Sequence, residues 1–323
     1  MKLKKVLLTT LLPIALSAPT LCAAITLQVA DTQPKGYPAI TAIEHMGEKL
    51  NEATAGDISM RVFAGGVLGG EKEAIEQVQI NALQLTRVSL GVIGPIVADV
   101  NVFNMPFVFR DSAHMRKVID GEIGQEILDR ISASNHGLVG LAWMDAGSRN
   151  FYSKTPIRSI EDLKGKKMRM MENPLFLDTM NALGGSGIAM STGETFSALQ
   201  AGVIDGAENN PAVMLAQNHN TVAKYFSNTS HLIIPEPLVM SKKAWDSLSA
   251  EQQALVKKFA REAQLEQRAL WDKQVAESEQ ALKKAGVEFI DVDRKPFYDA
   301  TASVREKYGA AYADLIQRIE AVE

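Results

Sequence analysis

ITLQVADTQPKGYPAITAIEHMGEKLNEATAGDISMRVFAGGVLGGEKEAIEQVQINALQLTRV, residues 25–88, switches repeatedly between two hydrophobic periods. Ile25 to Ala30 alternates apolar and polar residues, as a half-buried strand does, and DTQPKG follows as a turn. From Pro38 to Asn51, Ile40, Ile43, Met46 or Gly47, and Leu50 fall on one helical face. Ile58, Met60 and Val62 alternate again, Glu71 to Ile80 returns to the helical period, and a third strand is expected near Leu83 to Val88. Parallel neighbours need a helical crossover, so this βαβαβ order predicts an α/β chain with a parallel, doubly wound sheet. The GGVLGG run at 65–70 lacks the glycine spacing of a dinucleotide fingerprint and reads as a loop.

Downstream, GLVGLAWM (137–144) reads as a buried strand and KKMRMM (166–171) as a shorter one. Between them SIEDLKG is one helical turn, capped by Ser159 and stopped by Gly165. Ser191 and Glu194 form a capping box for a helix that Gly202 closes, and VID (203–205) is a short strand. Asn210 before Pro211 fits an N-cap with proline at the first helical position. From a second capping box, Ser249 and Gln252, a helical pattern runs to Gly286, about 37 residues and roughly 55 Å. A helix of that length exceeds one lobe, and its simplest use is to brace two. VEFIDVD adds a strand, and a last helix is expected from Pro296 onward. Strands return on both sides of 147 and 235. The expected division is therefore interleaved, with 25–146 and 235–274 in one lobe and 147–234 and 275–323 in the other.

Upstream, Lys2, Lys4 and Lys5 precede an apolar core from Val6 to Leu16 and small residues up to Ala24. This is the pattern of a secretory signal peptide spanning 1–24, cleaved after Ala24, with Ala23 as the near alternative. It would remove Cys22, the one cysteine, so the exported chain would fold on its core without disulfides. The signal takes three of the 34 basic residues and none of the 38 acidic ones, leaving 31 against 38, a net charge of −7. That balance argues against nucleic acid and anionic membrane surfaces as partners. A pocket for an anion must then be locally positive against a negative background.

Arg149, Arg169 and Asn209 recur at separations of 20 and 40 residues, each near a short apolar run. An arginine beside a strand is ordinarily a rim residue or the partner of a nearby acid. Arg169, inside Met168-Arg-Met-Met, would be held with little freedom, and its guanidinium fork matches a carboxylate bidentately. Its partner is either a structural acid or a ligand. Asn210 is accounted for as a cap, whereas Asn209 has no evident structural duty and would sit where a helix N-terminus favours an anion or hydroxyl. Glu71 is either a first-turn helix residue or an acceptor for ligand hydroxyls. Arg87, in LTRVS, suits structural pairing and ligand contact equally. Catalytic and metal signatures are missing: the five histidines stand singly, there is no HExxH, and GGSG at 184–187 is not a nucleophile elbow. No catalytic residue, metal site or cofactor is expected. A hydrolase using two carboxylates distant in sequence is the enzymatic alternative.

RSIEDLKGKKMRM, ETFSALQAGVIDGAENNP, LGGEKEAIEQVQ and NMPFVFRDSAHMRKVIDG together resemble the solute-binding proteins of the tripartite ATP-independent periplasmic (TRAP) transporters. The likeness runs from about Leu27 to the region of Phe297. It implies a two-lobed periplasmic binding protein that closes over an organic acid, with a long bracing helix. It also implies a monomer that delivers its ligand to a small and a large integral membrane subunit. By this resemblance Arg169 matches the arginine that holds the substrate carboxylate, Arg149 a second pocket arginine and Asn209 the asparagine after the DGxE motif. Glu71 matches an acidic position after LG in the other lobe, and Gln33, Tyr37 and Arg87 lie where pocket residues vary with the ligand. Ser191 and Thr192 depart from the family, which often has proline and an aromatic residue there. DGAENN, TRVS and SRNFYS look most like members that bind hexuronates such as D-glucuronate or D-galacturonate, with four-carbon dicarboxylates as the runner-up.

Overall fold

The computed structural model describes residues 24–323, so all of the expected signal peptide but Ala24, and Cys22 with it, lies outside the described residues. The opening stretch folds as its two periods predict. Strand β1 (Ile25–Ala30), helix α1 (Pro38–Ala53), β2 (Ile58–Phe63), helix α2 (Glu71–Gln79) and β3 (Leu85–Arg87) follow in order. Both β2 and β3 pair with β1 in parallel. GGVLGG is a loop in which Gly65, Gly66 and Gly69 have positive φ. Helices α3 (Ser112–Asp120) and α4 (Glu122–Ala133) then cover this sheet and lead to β4 (Leu138–Met144).

A second sheet is built from β5 (Ser148–Ser153), β6 (Lys167–Met170), β7 (Ser186–Ala189), β8 (Gly206–Asn209) and β9 (Tyr225–Ile233). The chain then returns to the first sheet as β10 (Glu236–Ser241), while β11 (Glu288–Asp291) completes the second. The strand orders are β2-β1-β3-β10-β4 and β11-β9-β5-β8-β6-β7. Neither sheet is wholly parallel. β10 runs antiparallel to β3 and β4, and β5 runs antiparallel to β8 and β9. Both reversed strands are those entered by a direct crossing, through 145–147 and 234–235. A short crossing delivers the chain at the edge where the previous strand ended, so it must run back.

The carboxyl ends of β1, β3, β6 and β8 and the amino ends of β5 and β10 therefore all face the same crevice. Open α/β sheets bind ligands in that position.

The long pattern is one continuous helix, α6, Ala250–Lys284, after α5 (Pro211–Ala216). Its 35 residues span roughly 52 Å. Val256, Phe259, Ala260 and Ala263 pack with Ile43, Leu50 and Val139 of the first lobe. Trp271 meets Tyr37 and Ile40 from α1 together with Ala212 and Val213 from α5, and Leu282 joins Tyr152, Leu199 and Phe226 of the second lobe. Two buried glutamines stitch the helix to β4. Gln264 accepts from the Trp143 N–H at 3.1 Å, and Gln267 accepts from the Asp145 N–H and donates to its carbonyl, both at 2.8 Å.

Two expectations change. VID is not a strand, because pairing with β6 begins at Gly206, which lies opposite Met168. Only a residue without Cβ fits there, since an added Cβ would stand 2.5 Å from the Tyr152 carbonyl. The last helix is three short ones, Lys295–Ala300, Ala302–Gly309 and Ala313–Glu320. The breaks let Phe297, Val304, Leu315 and Ile319 reach one core. These helices touch both lobes, through Lys307 Nζ to Asp178 at 2.7 Å and His114 Nε2 to the Ile319 carbonyl at 2.9 Å.

Candidate functional site

Two small adjoining cavities lie in the crevice. They meet at Glu71 and Thr192, which line both. Gln33, Glu71, Arg87, Arg149 and Asn209 line one; Arg169 and Glu71 line the other. All seven pocket positions named from the sequence are thus brought together, Gln33, Tyr37, Glu71 and Arg87 from one side of the crevice and Arg149, Arg169 and Asn209 from the other.

The three arginines differ in what neutralises them. Arg149 is buried at the start of β5, where Nε donates to Glu208 Oε2 and Nη2 donates to Glu208 Oε1 at 2.9 Å. Burial works against its charge, but Glu208, itself fully buried, overrides that and raises the pKa. Nη1 also donates to Asn209 Oδ1 at 3.2 Å. Arg87 forms a bidentate pair with Asp31, Nε to Oδ2 at 2.7 Å and Nη2 to Oδ1 at 2.6 Å, and Nη1 pairs with Glu236. Here too burial opposes the charge and the acids override it.

Arg169 has no such acid. Its Nε donates to the Met190 carbonyl at 2.8 Å and Nη2 to Thr192 Oγ1 at 3.2 Å, and no carboxylate among the described residues comes within 4 Å of it. Burial lowers its pKa, and the more distant Glu208 does not offset that. A guanidinium 3 % exposed and without a counter-ion is costly unless something brings one. Thr192, at the position where the family pattern fails, helps to hold it in place.

On the DGAENN segment the duties divide residue by residue. Glu208 neutralises Arg149. Asn209, the last residue of β8, accepts from Arg149 and from the Asn210 N–H at 2.9 Å, and its amide NH2 has no acceptor among the described residues. Asn210 caps α5 through the Val213 N–H at 2.8 Å and donates to the Ala146 carbonyl at 2.8 Å.

Across the crevice the first lobe is acidic. Asp31, Glu71 and Glu236 stand against one buried cation, Arg87, with exposed Lys72 and Glu73 at the rim, whereas the second lobe sets Arg149 and Arg169 against Glu208, with exposed Glu172 at its rim. Glu71 is the first residue of α2, and its pKa is pushed up to about 7 by burial and then by the Glu236 carboxylate. Gln33 is buried with its Oε1 unpartnered. An unpartnered buried acceptor in a cavity wall is open to a donor, a water or a ligand hydroxyl. Glu208, Glu236 and Asp31 escaped the sequence reading because single acids in polar turns look like solvated surface. The register that sets each beside an arginine spans 59, 149 and 56 residues.

A crevice at the carboxyl edges of two interleaved sheets, bridged by one long helix and lined from both sides by polar groups, defines a bilobal ligand-binding protein. The model of bacterial extracellular solute-binding protein family 7, DctP, matches residues 29–311, and the chain belongs to that family, the TRAP solute-binding proteins. A TRAP periplasmic solute-binding protein of Pseudomonas putida F1, solved with bound D-glucuronate, is 66% identical and superposes with a TM-score of 0.92 over 93% of this chain and 98% of that one. The protein of Citrobacter koseri is 44% identical. With bound D-glucuronate it gives a TM-score of 0.91 over 93% of this chain and 100% of its own. Its open apo form gives 0.82 over 91% and 99%. The present conformation is therefore nearer to the liganded state. The C4-dicarboxylate-binding protein DctP of Rhodobacter capsulatus is 32% identical over 92% of this chain and 86% of its own.

Proposed function

We propose that this chain captures a hexuronate in the periplasm and hands it to the small and large integral membrane subunits of a TRAP transporter. D-glucuronate is the first candidate and its C4 epimer D-galacturonate the second. The observation that carries this reading is the asymmetry of the crevice. A buried guanidinium without a counter-ion, Arg169, faces an acidic wall with an orphaned acceptor, Gln33 Oε1. A ligand that fits has one carboxylate at one end and hydroxyl donors at the other. A sugar acid has that pattern. A four-carbon dicarboxylate would press its second charge against Glu71, Glu236 and Asp31. The glucuronate bound by the neighbours from Pseudomonas putida and Citrobacter koseri supports the same choice.

In this reading Arg169 clamps the carboxylate bidentately, and Arg149, already neutralised, orients Asn209 so that its NH2 donates to the ligand. Gln33 and Glu71 accept from hydroxyls, and Arg87 holds the acidic wall in place. Segments 25–146 and 235–274 form one lobe and 147–234 with 275–323 the other, the terminal helices leaning on both. The two lobes close because the ligand's contacts with both exist only in the closed form. The chain acts as a monomer and does no chemistry, and residues 1–24 direct export.

Thermal-shift titration with D-glucuronate, D-galacturonate and succinate tests this. A ligand at a hundred times its Kd adds about 2.7 kcal/mol to stability. A shift with succinate and none with either uronate would overturn the ligand assignment. Conversion of the uronate during long incubation would overturn the binding-only reading.

A further inference from the structure

Of the three acids on the first lobe's wall, two are committed. Asp31 is held bidentately by Arg87, and Glu236 pairs with the same guanidinium. Glu71 is not. It has no ion-pair partner among the described residues, it begins α2 at the lip of the crevice, and it lines both cavities where they meet. Beside it the unpartnered Gln33 Oε1 is open to a ligand donor on this side. Across from it stands the uncompensated Arg169.

We propose that Glu71 is the residue that restricts the site to acids carrying a single carboxylate, rejecting sugar acids oxidised at both ends. This rests on the hexuronate reading above. D-glucarate has the six carbons of D-glucuronate, with a second carboxylate where the other has its aldehyde or hemiacetal carbon. The two have the same carbon count; glucarate is open-chain where glucuronate closes to a ring, and the second charge is the part of that difference that a carboxylate in the wall reads. With the first carboxylate on Arg169, the other end of the molecule lies toward Glu71, and Asp31 and Glu236 behind it leave one buried cation, Arg87, already shared between them, while Lys72 is exposed at the rim. A hydroxyl there donates to Glu71; a carboxylate meets a like charge in a desolvated contact. Like charges juxtaposed at such a contact lower affinity by about 100-fold or more. Glutamine at 71 would keep the shape, remove the charge and offer the second carboxylate an N–H donor.

Calorimetric Kd values for D-glucuronate and D-glucarate, measured above about pH 8, where the Glu71 carboxyl is ionised, on the parent chain, Glu71→Gln, Glu71→Ala and Glu76→Gln, test the inference. Glu76 is an exposed acid on the same helix and outside the cavities, so it controls for net charge. The expected result is a glucarate-to-glucuronate Kd ratio of about 100 or more in the parent. That ratio should narrow at least about tenfold in Glu71→Gln and Glu71→Ala and stay unchanged in Glu76→Gln. Circular dichroism confirms that each variant is folded, and the alanine variant carries the test if the glutamine one is not. A parent that binds both acids alike overturns the inference and leaves the hexuronate reading standing. So does a ratio that stays put in the Glu71 variants or narrows equally in Glu76→Gln. A parent that binds neither acid overturns both.

Discussion

Replacing Arg169 and Arg149 by alanine, one at a time, should separate a ligand clamp from a structural ion pair. Arg169 has only the Met190 carbonyl and Thr192 Oγ1 to lose, and its buried charge is uncompensated. Removing it leaves the empty protein nearly as stable as before, within about 1 kcal/mol for the lost hydrogen bonds. The ligand, however, loses two charge-assisted hydrogen bonds of about 1.5–3 kcal/mol each. The sum of about 3–6 kcal/mol is about 10²- to 10⁴-fold in Kd. Arg169→Lys should fall in the lower part of that range, because an ammonium cannot reproduce the fork. Arg149→Ala strands Glu208, a fully buried carboxylate, without a cation. Breaking a buried pair in this way costs about 3–5 kcal/mol of folding free energy. The assays are denaturant unfolding of the empty protein and calorimetry with D-glucuronate. If Arg169→Ala destabilised the empty protein as much as Arg149→Ala does, or left the Kd within threefold of the parent, about 0.7 kcal/mol, the reasoning would be refuted.

The Glu71 carboxyl, raised from 4.5 to about 7 and faced by Asp31, Arg87, Glu236 and Arg169, binds more protons folded than unfolded between those values. Its contribution to the empty protein's stability should therefore fall as pH rises from about 4.5 to about 7, and Glu71→Gln should flatten that part of the pH–stability curve. Gly206→Ala should cost about 1–3 kcal/mol in denaturant unfolding, since the new Cβ would stand 2.5 Å from the Tyr152 carbonyl in the strand that carries Glu208 and Asn209; an unchanged midpoint would contradict the close approach. Gln267→Leu strands the N–H and C=O of Asp145 and should cost about 2–4 kcal/mol, read the same way.

What could be read from the sequence was local. Helix and strand periods in 25–88, the Ser159 cap, the capping boxes at Ser191 and Ser249, the Gly202 stop and the Asn210 cap all depend on neighbours within a few residues. The reversed strands were not legible, because nothing inside LVGLAWM or EPLVMS says that one pairs antiparallel to the other across some 90 residues. Site residues were legible as positions but not as roles. Arg149 and Arg169 look alike in sequence, and what distinguishes them is whether an acid on another strand lies within reach. Glu208 provides that acid for Arg149. None of the described residues does for Arg169.

The strand order has a consequence for how the chain is made. β10 fills the place between β3 and β4, so a nascent chain that has reached Met144 has a first sheet with a gap in its middle. The missing strand lies about 90 residues further on, and at about 5–20 residues per second it emerges several seconds later. Until then the amino-terminal half has no complete sheet to settle into. A polypeptide exported as an extended thread would gain time from that delay, and the same interleaving that joins the two lobes leaves the first sheet incomplete until the second has been made.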